Sequence, residues 1–281
     1  MTGTTTKERL HERTLGEDIR EFADLLGEII RGHESPRSYE TVEQFRTGSI
    51  EYRAGERDSR EPLREELPAL DAETKRILAR AFMTYFELTN IAEERERVRV
   101  LRTKSQAGSL GDSLEAAAAE LAETDPETAQ QVLDDVLIQP TFTAHPTEAH
   151  RKTVKAKLRS IATDLEALDE RRLTDKERRQ VERDVEAEVL GLWQTPQVRE
   201  RQPEPEDEAR NVQWYLLNTI FEIVPEVYDE LEDALDEEVD ADLDLPKLLE
   251  FRSWAGSDRD GNPFVTPEVT EATLDRQRRI V

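Results

Sequence analysis

Apolar positions recur every three or four residues along most of the chain, and that spacing predicts helices. Ile19, Phe22, Leu26 and Ile29 form one stripe, and Leu78, Phe82, Tyr85, Leu88 and Ile91 form a second. Val181, Val185, Val189 and Leu192 give a third. The longest runs through Val212, Tyr215, Thr219, Ile220, Ile223, Val227 and Leu231, after the polar, proline-rich break RERQPEPEDEAR. Stripes of this kind form core, and no function is assigned to them. Between them, RTGSIEYRAGERDSREP (46–62), TKSQAGSLGDS (103–113) and DEEVDADLDLP (236–246) predict loops. The second is expected to be a mobile segment and the third a solvated surface turn. There is no internal repeat and no sustained heptad array.

Two places break the helical period. VLIQPTFTAH (136–145) is short, apolar and threonine-rich, and reads as a strand ending in a loop. FRSWAGSDRDGNPFVTPE (251–268) starts like a strand, continues as a Gly, Asp and Asn loop, and leads into a helix. That helix is expected to begin at Thr266, with Pro267 in its first turn. Both breaks have the order strand, polar loop, helix, and in α/β architectures the loops that follow strands carry the chemistry. The expected fold class is therefore mainly α-helical with two or so short β-strands.

Charge narrows the possibilities. The chain of 281 residues has 64 Asp and Glu against 39 Lys and Arg, a net charge of −25. The acids are spread over every helix and not gathered in a tail, which fits adaptation to high salt, where dense carboxylates stay hydrated and their repulsion is screened. Nucleic acid is a poor partner for such a surface, which lacks a broad basic face. With no cysteine there is neither a disulfide framework nor a thiolate metal site. No apolar run reaches the roughly 20 residues that span a bilayer, and MTGTTTKERL is no signal peptide, so the expectation is a soluble cytoplasmic protein without a membrane partner.

Against that acidity, TFTAHPTEAHRKTVK (141–155) stands out as basic. From Ala149 to Thr163 there is no acid, while Arg151, Lys152, Lys155, Lys157 and Arg159 accumulate on a helix expected to start near Thr147. Its buried face would be Val154, Leu158, Ile161, Leu165 and Leu168. A helix N-terminus already favours anions, so cations there point to binding of a phosphate or carboxylate. His145 sits in the preceding loop, where an imidazole could move a proton. The alternative is a surface or hydrogen-bonding histidine. A phosphorelay histidine fits less well, because Pro146 takes His145 out of helical conformation.

The loop AGSDRDGNP places Asp258, Arg259 and Asp260 between two glycines, with Asn262 directly after the second. As an EF-hand counted from Asp258 it would need Gly at Pro263 and Glu at Val269, and it has neither. It reads better as a turn that aims Arg259 at an anion, with Asp258 and Asp260 holding the guanidinium. A purely structural Asp–Arg turn is the alternative.

TAHPTE with its basic helix, and SWAGSDRDGNPFVTPEVT beginning over a hundred residues later, together resemble the phosphoenolpyruvate carboxylases. DLLGEIIRGHE, AFMTYFELTNIAEERERVR and LWQTPQVRERQPEPEDEARN are similar to that family as well. Ser257 stands where the family usually has a second glycine, and Glu148 where glutamine is common. The resemblance implies the N-terminal part of a helix-overgrown β/α barrel, with residues 1–130 as an N-terminal helical layer. Residues 131–281 would then carry the first barrel strands and helices, incomplete at the C-terminus. It also implies conversion of phosphoenolpyruvate and bicarbonate to oxaloacetate and phosphate. His145 would be the catalytic base that takes the carboxyphosphate proton. Trp254 and Arg259 would bind substrate on the bicarbonate side, and Arg151 and Lys152 would bind an anion or effector. Mg²⁺ or Mn²⁺ is the implied cofactor, with no ligand expected in this chain.

Family members are much longer, and EATLDRQRRIV stops partway along an expected helix. The implied metal carboxylates and glycine-rich lid are therefore expected in a missing C-terminal part. That part, or a homo-oligomer, would be the partner, and the isolated chain is expected to be inactive. The alternative is a non-catalytic remnant that binds a phosphorylated metabolite or regulates the enzyme.

Overall fold

The computed structural model describes residues 13–56, 61–143, 152–170, 172–196, 204–260 and 262–280. It is mostly helical. In chain order come α1 (Leu15–His33), α2 (Pro36–Arg53), α3 (Glu61–Glu66), α4 (Ala72–Gln106), α5 (Leu114–Ala122) and α6 (Pro126–Asp135). They are followed by β1 (Thr141–Phe142), α7 (Lys152–Glu170), α8 (Asp175–Gln194), α9 (Pro205–Tyr215), α10 (Phe221–Glu238), β2 (Arg252–Ser253) and α11 (Pro267–Ile280). The described residues divide into two compact units by packing, not by chain order. One joins α1–α4 with α7 and α8; the other joins α5, α6 and β1 with α9, α10, β2 and α11.

Helix starts follow local chemistry. Thr14 and Glu17 form a capping box on α1, and Thr174 and Glu177 repeat it on α8. Ser35–Pro36 and Asp125–Pro126 place a capping side chain ahead of a first-turn proline. In the first unit, Phe22, Leu26 and Ile29 of α1 meet Leu78, Leu88 and Ile91 of α4, and Val185, Val189 and Leu192 of α8. The expected α7 face is seen: Val154, Ile161, Leu165 and Leu168 are buried, with Leu158 packed beside them. Each of these stripes is core, as its period requires.

The same core holds a charged cluster. The side chain of Asp169 on α7 is fully buried between Arg95 and Arg99 of α4. Arg99 also reaches Asp18 of α1 at 2.7 Å, and Arg13 reaches the other side of Asp18 at 2.6 Å. Burial alone would push the Asp169 carboxyl up; the hydrogen bonds from Arg99 and Arg95 outweigh it and hold the group below the usual carboxylate range. Three helices are thereby pinned at one point.

Three expectations need correction. The loop expected over 46–62 does not begin until after Arg53, because α2 runs on; burial of Val42, Phe45 and Gly48 overrides the weak helix propensity of the glycine. Similarly, α4 continues to Gln106, so only 107–113 of the second predicted loop is irregular, turning at Gly108 with φ +58°. The longest apolar stripe is not continuous core. Residues Leu216–Ile220 form a π turn, in which the Phe221 N–H donates to the Leu216 carbonyl. One inserted residue rotates the following helix by about 100°. Val212 and Leu231 are buried, but Ile223 is exposed and Phe221 is 76% exposed.

The acidic segment after α10 is anchored, not merely solvated. Val239, Leu243 and Leu245 pack on the cluster of Ala118, Leu133, Leu231 and Leu235. The Gln130 amide donates to the Asp244 carbonyl at 2.9 Å and accepts the Asp244 N–H at 2.8 Å.

The two expected strands are present. β1 and β2 pair in parallel, Thr141 with Arg252 and Phe142 with Ser253, and an isolated parallel bridge joins Ile138 to Leu249. α11 begins at Pro267 with Thr266 capping it, as its sequence predicts.

Candidate functional site

A parallel pair sends both chains out at the same end, and here the exits carry the two motifs. On the β1 side, the residues from Ala144 to Arg151 lie outside the described residues, and with them the expected base His145 and the expected anion-binding Arg151. Lys152 begins α7, and its side chain is likewise outside what is described. On the β2 side the whole turn can be followed. The Trp254 N–H donates to the Phe142 carbonyl at 2.8 Å, carrying the ladder one residue further. Its own carbonyl then accepts the N–H groups of Ser257 and Asp258 at 2.9 and 3.0 Å.

Gly256 makes this reversal possible. Its φ is +78°, a conformation that L side chains rarely adopt. A Cβ there would also overlap the Thr273 hydroxyl and stand 3.2 Å from the Ala209 Cβ. The turn is thereby seated against α9 and α11, and the Trp254 indole stays 57% exposed.

Arg259 is exposed, and its guanidinium donates to the Thr270 hydroxyl at 3.3 Å. The Thr266 hydroxyl lowers the Glu268 pKa most; the bonded N–H of Glu268 and the charge of Arg259 act in the same direction. The first turn of α11 thus orients Arg259. This corrects the expectation that its flanking aspartates would do so. Among the described residues neither pairs with it; Asp258 accepts the Asp260 N–H at 3.1 Å, which closes the loop on itself. Asn262 is similarly occupied, accepting the Phe264 N–H at 3.0 Å. The sequence signal for this missed contact was TPEVT itself, whose helical spacing sets Thr266 and Thr270 on one face. A guanidinium has five donors, and one bond to Thr270 leaves its fork able to receive a carboxylate or similar oxyanion.

The basic start of α7 is partly a packing feature. Lys157 pairs with Glu188 of α8 at 3.0 Å. The acids that α7 lacks are thus supplied by its neighbour. Trp254 and Arg259 share one loop in the second unit, whereas α7 belongs to the first. Among the described residues, no group of three His, Cys, Asp or Glu side chains could hold a metal ion. Nor is any helix there long and apolar enough to cross a membrane.

A helix-rich α/β protein whose two sequence motifs directly follow the two strands of a parallel ladder is the class that fold and site define. The phosphoenolpyruvate carboxylase family model matches residues 15–281, and the chain belongs to that family. Relatives named phosphoenolpyruvate carboxylase agree. The protein from Thermus thermophilus is 40% identical over 252 residues, which is 88% of this chain and 28% of the relative. That from Roseiflexus castenholzii is 37% identical over 96% of this chain and 29% of its own length. The one from Rhodothermus marinus is 34% identical over 95% and 29%. The chain therefore spans less than a third of these relatives.

Proposed function

We propose that this chain carries part of the active site of an enzyme that joins phosphoenolpyruvate and bicarbonate to give oxaloacetate and phosphate. What supports this reading most is the parallel register of β1 and β2, which sends TAHPTE and GSDRDGNP from one end of the ladder in a chain of this family. In the family-length protein the two strands would be the first of a β/α barrel, with 1–130 in the helical layer and 131–281 in the barrel. The remaining strands would cover the open edges of the ladder.

In this reading, phosphoryl transfer from phosphoenolpyruvate to bicarbonate would first give carboxyphosphate and an enolate. His145 then accepts the proton of carboxyphosphate. Once that proton is lost, the bond from the carboxyphosphate carbon to the oxygen on phosphorus breaks, leaving phosphate and releasing CO₂. The enolate attacks the carbon of that CO₂ to give oxaloacetate. Arg259, held by Thr270, would receive the bicarbonate-derived oxyanion, and Trp254 would keep water from it. Arg151 and Lys152 would bind an anionic effector. Mg²⁺ or Mn²⁺, when bound, would stabilise charge on the transferring phosphoryl group. The described residues do not fit such an ion, so its ligands are assigned to the remainder of the family-length protein. The 281 residues alone would accordingly be inactive. Salt adaptation and a cytoplasmic location complete the proposal, the first supported by 64 acids spread along the helices.

The test is His145→Asn in a family-length enzyme that contains this chain. Oxaloacetate formation should be lost, while bicarbonate-dependent cleavage of phosphoenolpyruvate persists, since the substitution acts on the later step. Oxaloacetate formed at near the parent rate would overturn the assignment.

A further inference from the structure

Between α9 and α11 lies a cavity of about 390 Å³. Gln213 lines it and is almost wholly buried, at 4% exposure. Its Nε2 donates to the Thr273 carbonyl at 3.1 Å, but its Oε1 has no hydrogen-bond partner. The amide cannot be turned round, because a carbonyl only accepts. An unpaired buried acceptor is costly, so a group bearing an N–H or O–H belongs against it.

The rest of the lining asks for an anion. Arg210, Arg276 and Arg279 face only Glu206 and Asp275 there. Arg210 sits 3.4 Å from Asp207 and Arg279 sits 4.0 Å from Asp275, both weak contacts, and among the described residues Arg276 has no ion pair. This is a cationic recess in a chain of net charge −25. A carboxylate or sulfate would satisfy the guanidiniums but has no proton for Gln213.

We propose that this cavity binds a hydrogenphosphate group, whose oxygens meet the arginines and whose O–H donates to Gln213 Oε1. Its size is within the roughly 300–1,000 Å³ of small-molecule sites, so either free hydrogenphosphate or the singly protonated head of a phosphate monoester fits. The site is separate from the Arg259 loop but mechanically joined to it. Ala209 and Thr273 line the cavity and are also the residues against which Gly256 is seated. An occupant that fixes the α9–α11 spacing therefore fixes the seat of the loop.

The experiment titrates the isotope-labelled chain with potassium phosphate or potassium sulfate, at constant ionic strength made up with KCl. NMR follows the Gln213 side-chain amide and the Gly256 N–H. Phosphate should shift both signals saturably and bind at least tenfold more tightly than sulfate. Gln213→Met should bring phosphate down to the sulfate level. Arg276→Gln changes an exposed side chain that folding does not depend on, and it should weaken both anions. Methyl phosphate, titrated below its second pKa of about 6 so that it keeps an O–H, then separates the sources. Retained binding assigns an ester head, and lost binding assigns free phosphate. Equal responses to phosphate and sulfate, or a Gln213 signal that neither anion moves, would overturn the proposal. The recess would then hold water or an adventitious ion only.

Discussion

Arg99 and Asp169 meet through two parallel bonds, Nε to Oδ2 at 2.9 Å and Nη2 to Oδ1 at 3.0 Å, inside the core of the first unit. Removing one partner of a buried pair strands the other, at about 3–5 kcal/mol. Arg99→Met should sit at the lower end, about 3 kcal/mol, because Arg95 still reaches Asp169 and Arg13 still reaches Asp18. The acid limb follows from the depressed Asp169 pKa. Its contribution is present above the unfolded value, about 3.9, and is lost as pH falls through the lower folded value. Thermal melts across that range should show a flatter acid limb in Asp169→Asn than in the parent. Equal slopes would mean that other carboxylates govern acid unfolding.

Asp164 has the opposite sign. Partial burial, with the charges of Asp184 and Glu188 nearby, pushes its carboxyl above the usual range. An acid raised in this way opposes folding above its folded pKa and ceases to do so once protonated. Asp164→Asn should therefore stabilise the chain at pH 7 by about 0.5 kcal/mol, a small figure because solvent screens the site. The gain in melting temperature should vanish below about pH 4. A lower melting temperature at pH 7 would show that the carboxylate is needed.

Salt tests the acidic surface as a whole. The screening length grows from about 3 Å at 1 M salt to about 30 Å at 0.01 M, so self-repulsion strengthens on dilution. Helical circular dichroism should be kept in molar KCl and lost on dialysis. Melting temperatures that agree between 0.05 M and 2 M salt would remove the argument for salt adaptation.

These charge effects also mark the limit of what was legible. Regular helices could be read because one period repeats. The ladder could be read because TFTAH and FRSWA interrupt that period at places with strand composition. Arg95 and Arg99 were hidden by their type, although Leu88, Ile91, Arg95 and Arg99 continue one buried stripe in phase. Their position on that stripe was the available signal. Tertiary packing decided what local pattern could not: α2 crosses a glycine, and a π turn rephases the stripe after Val212. At the candidate site, the sequence placed Trp254 and Arg259 on one loop but assigned the arginine to the wrong partners. The short-range Asp–Arg pattern was outcompeted by a helix turn eleven residues away.

Gly256 offers the sharpest test of how that loop is held. Alanine there must keep φ near +78° and overlap the Thr273 hydroxyl, two separate penalties. Backbone strain of this kind costs about 1–3 kcal/mol, and the overlap adds to it unless α11 shifts. Gly256→Ala should lower the melting temperature, and the double variant with Thr273→Ala should recover part of the loss by removing the overlap alone. The strain in φ, about 1 kcal/mol, should remain. In a family-length enzyme, the single variant should also weaken use of bicarbonate, because Arg259 follows Gly256 by three residues and Thr270 lies on the helix that would move. No recovery in the double variant would place the whole penalty in the backbone. An unchanged melting temperature in Gly256→Ala would mean that the loop does not rest on α11 at all.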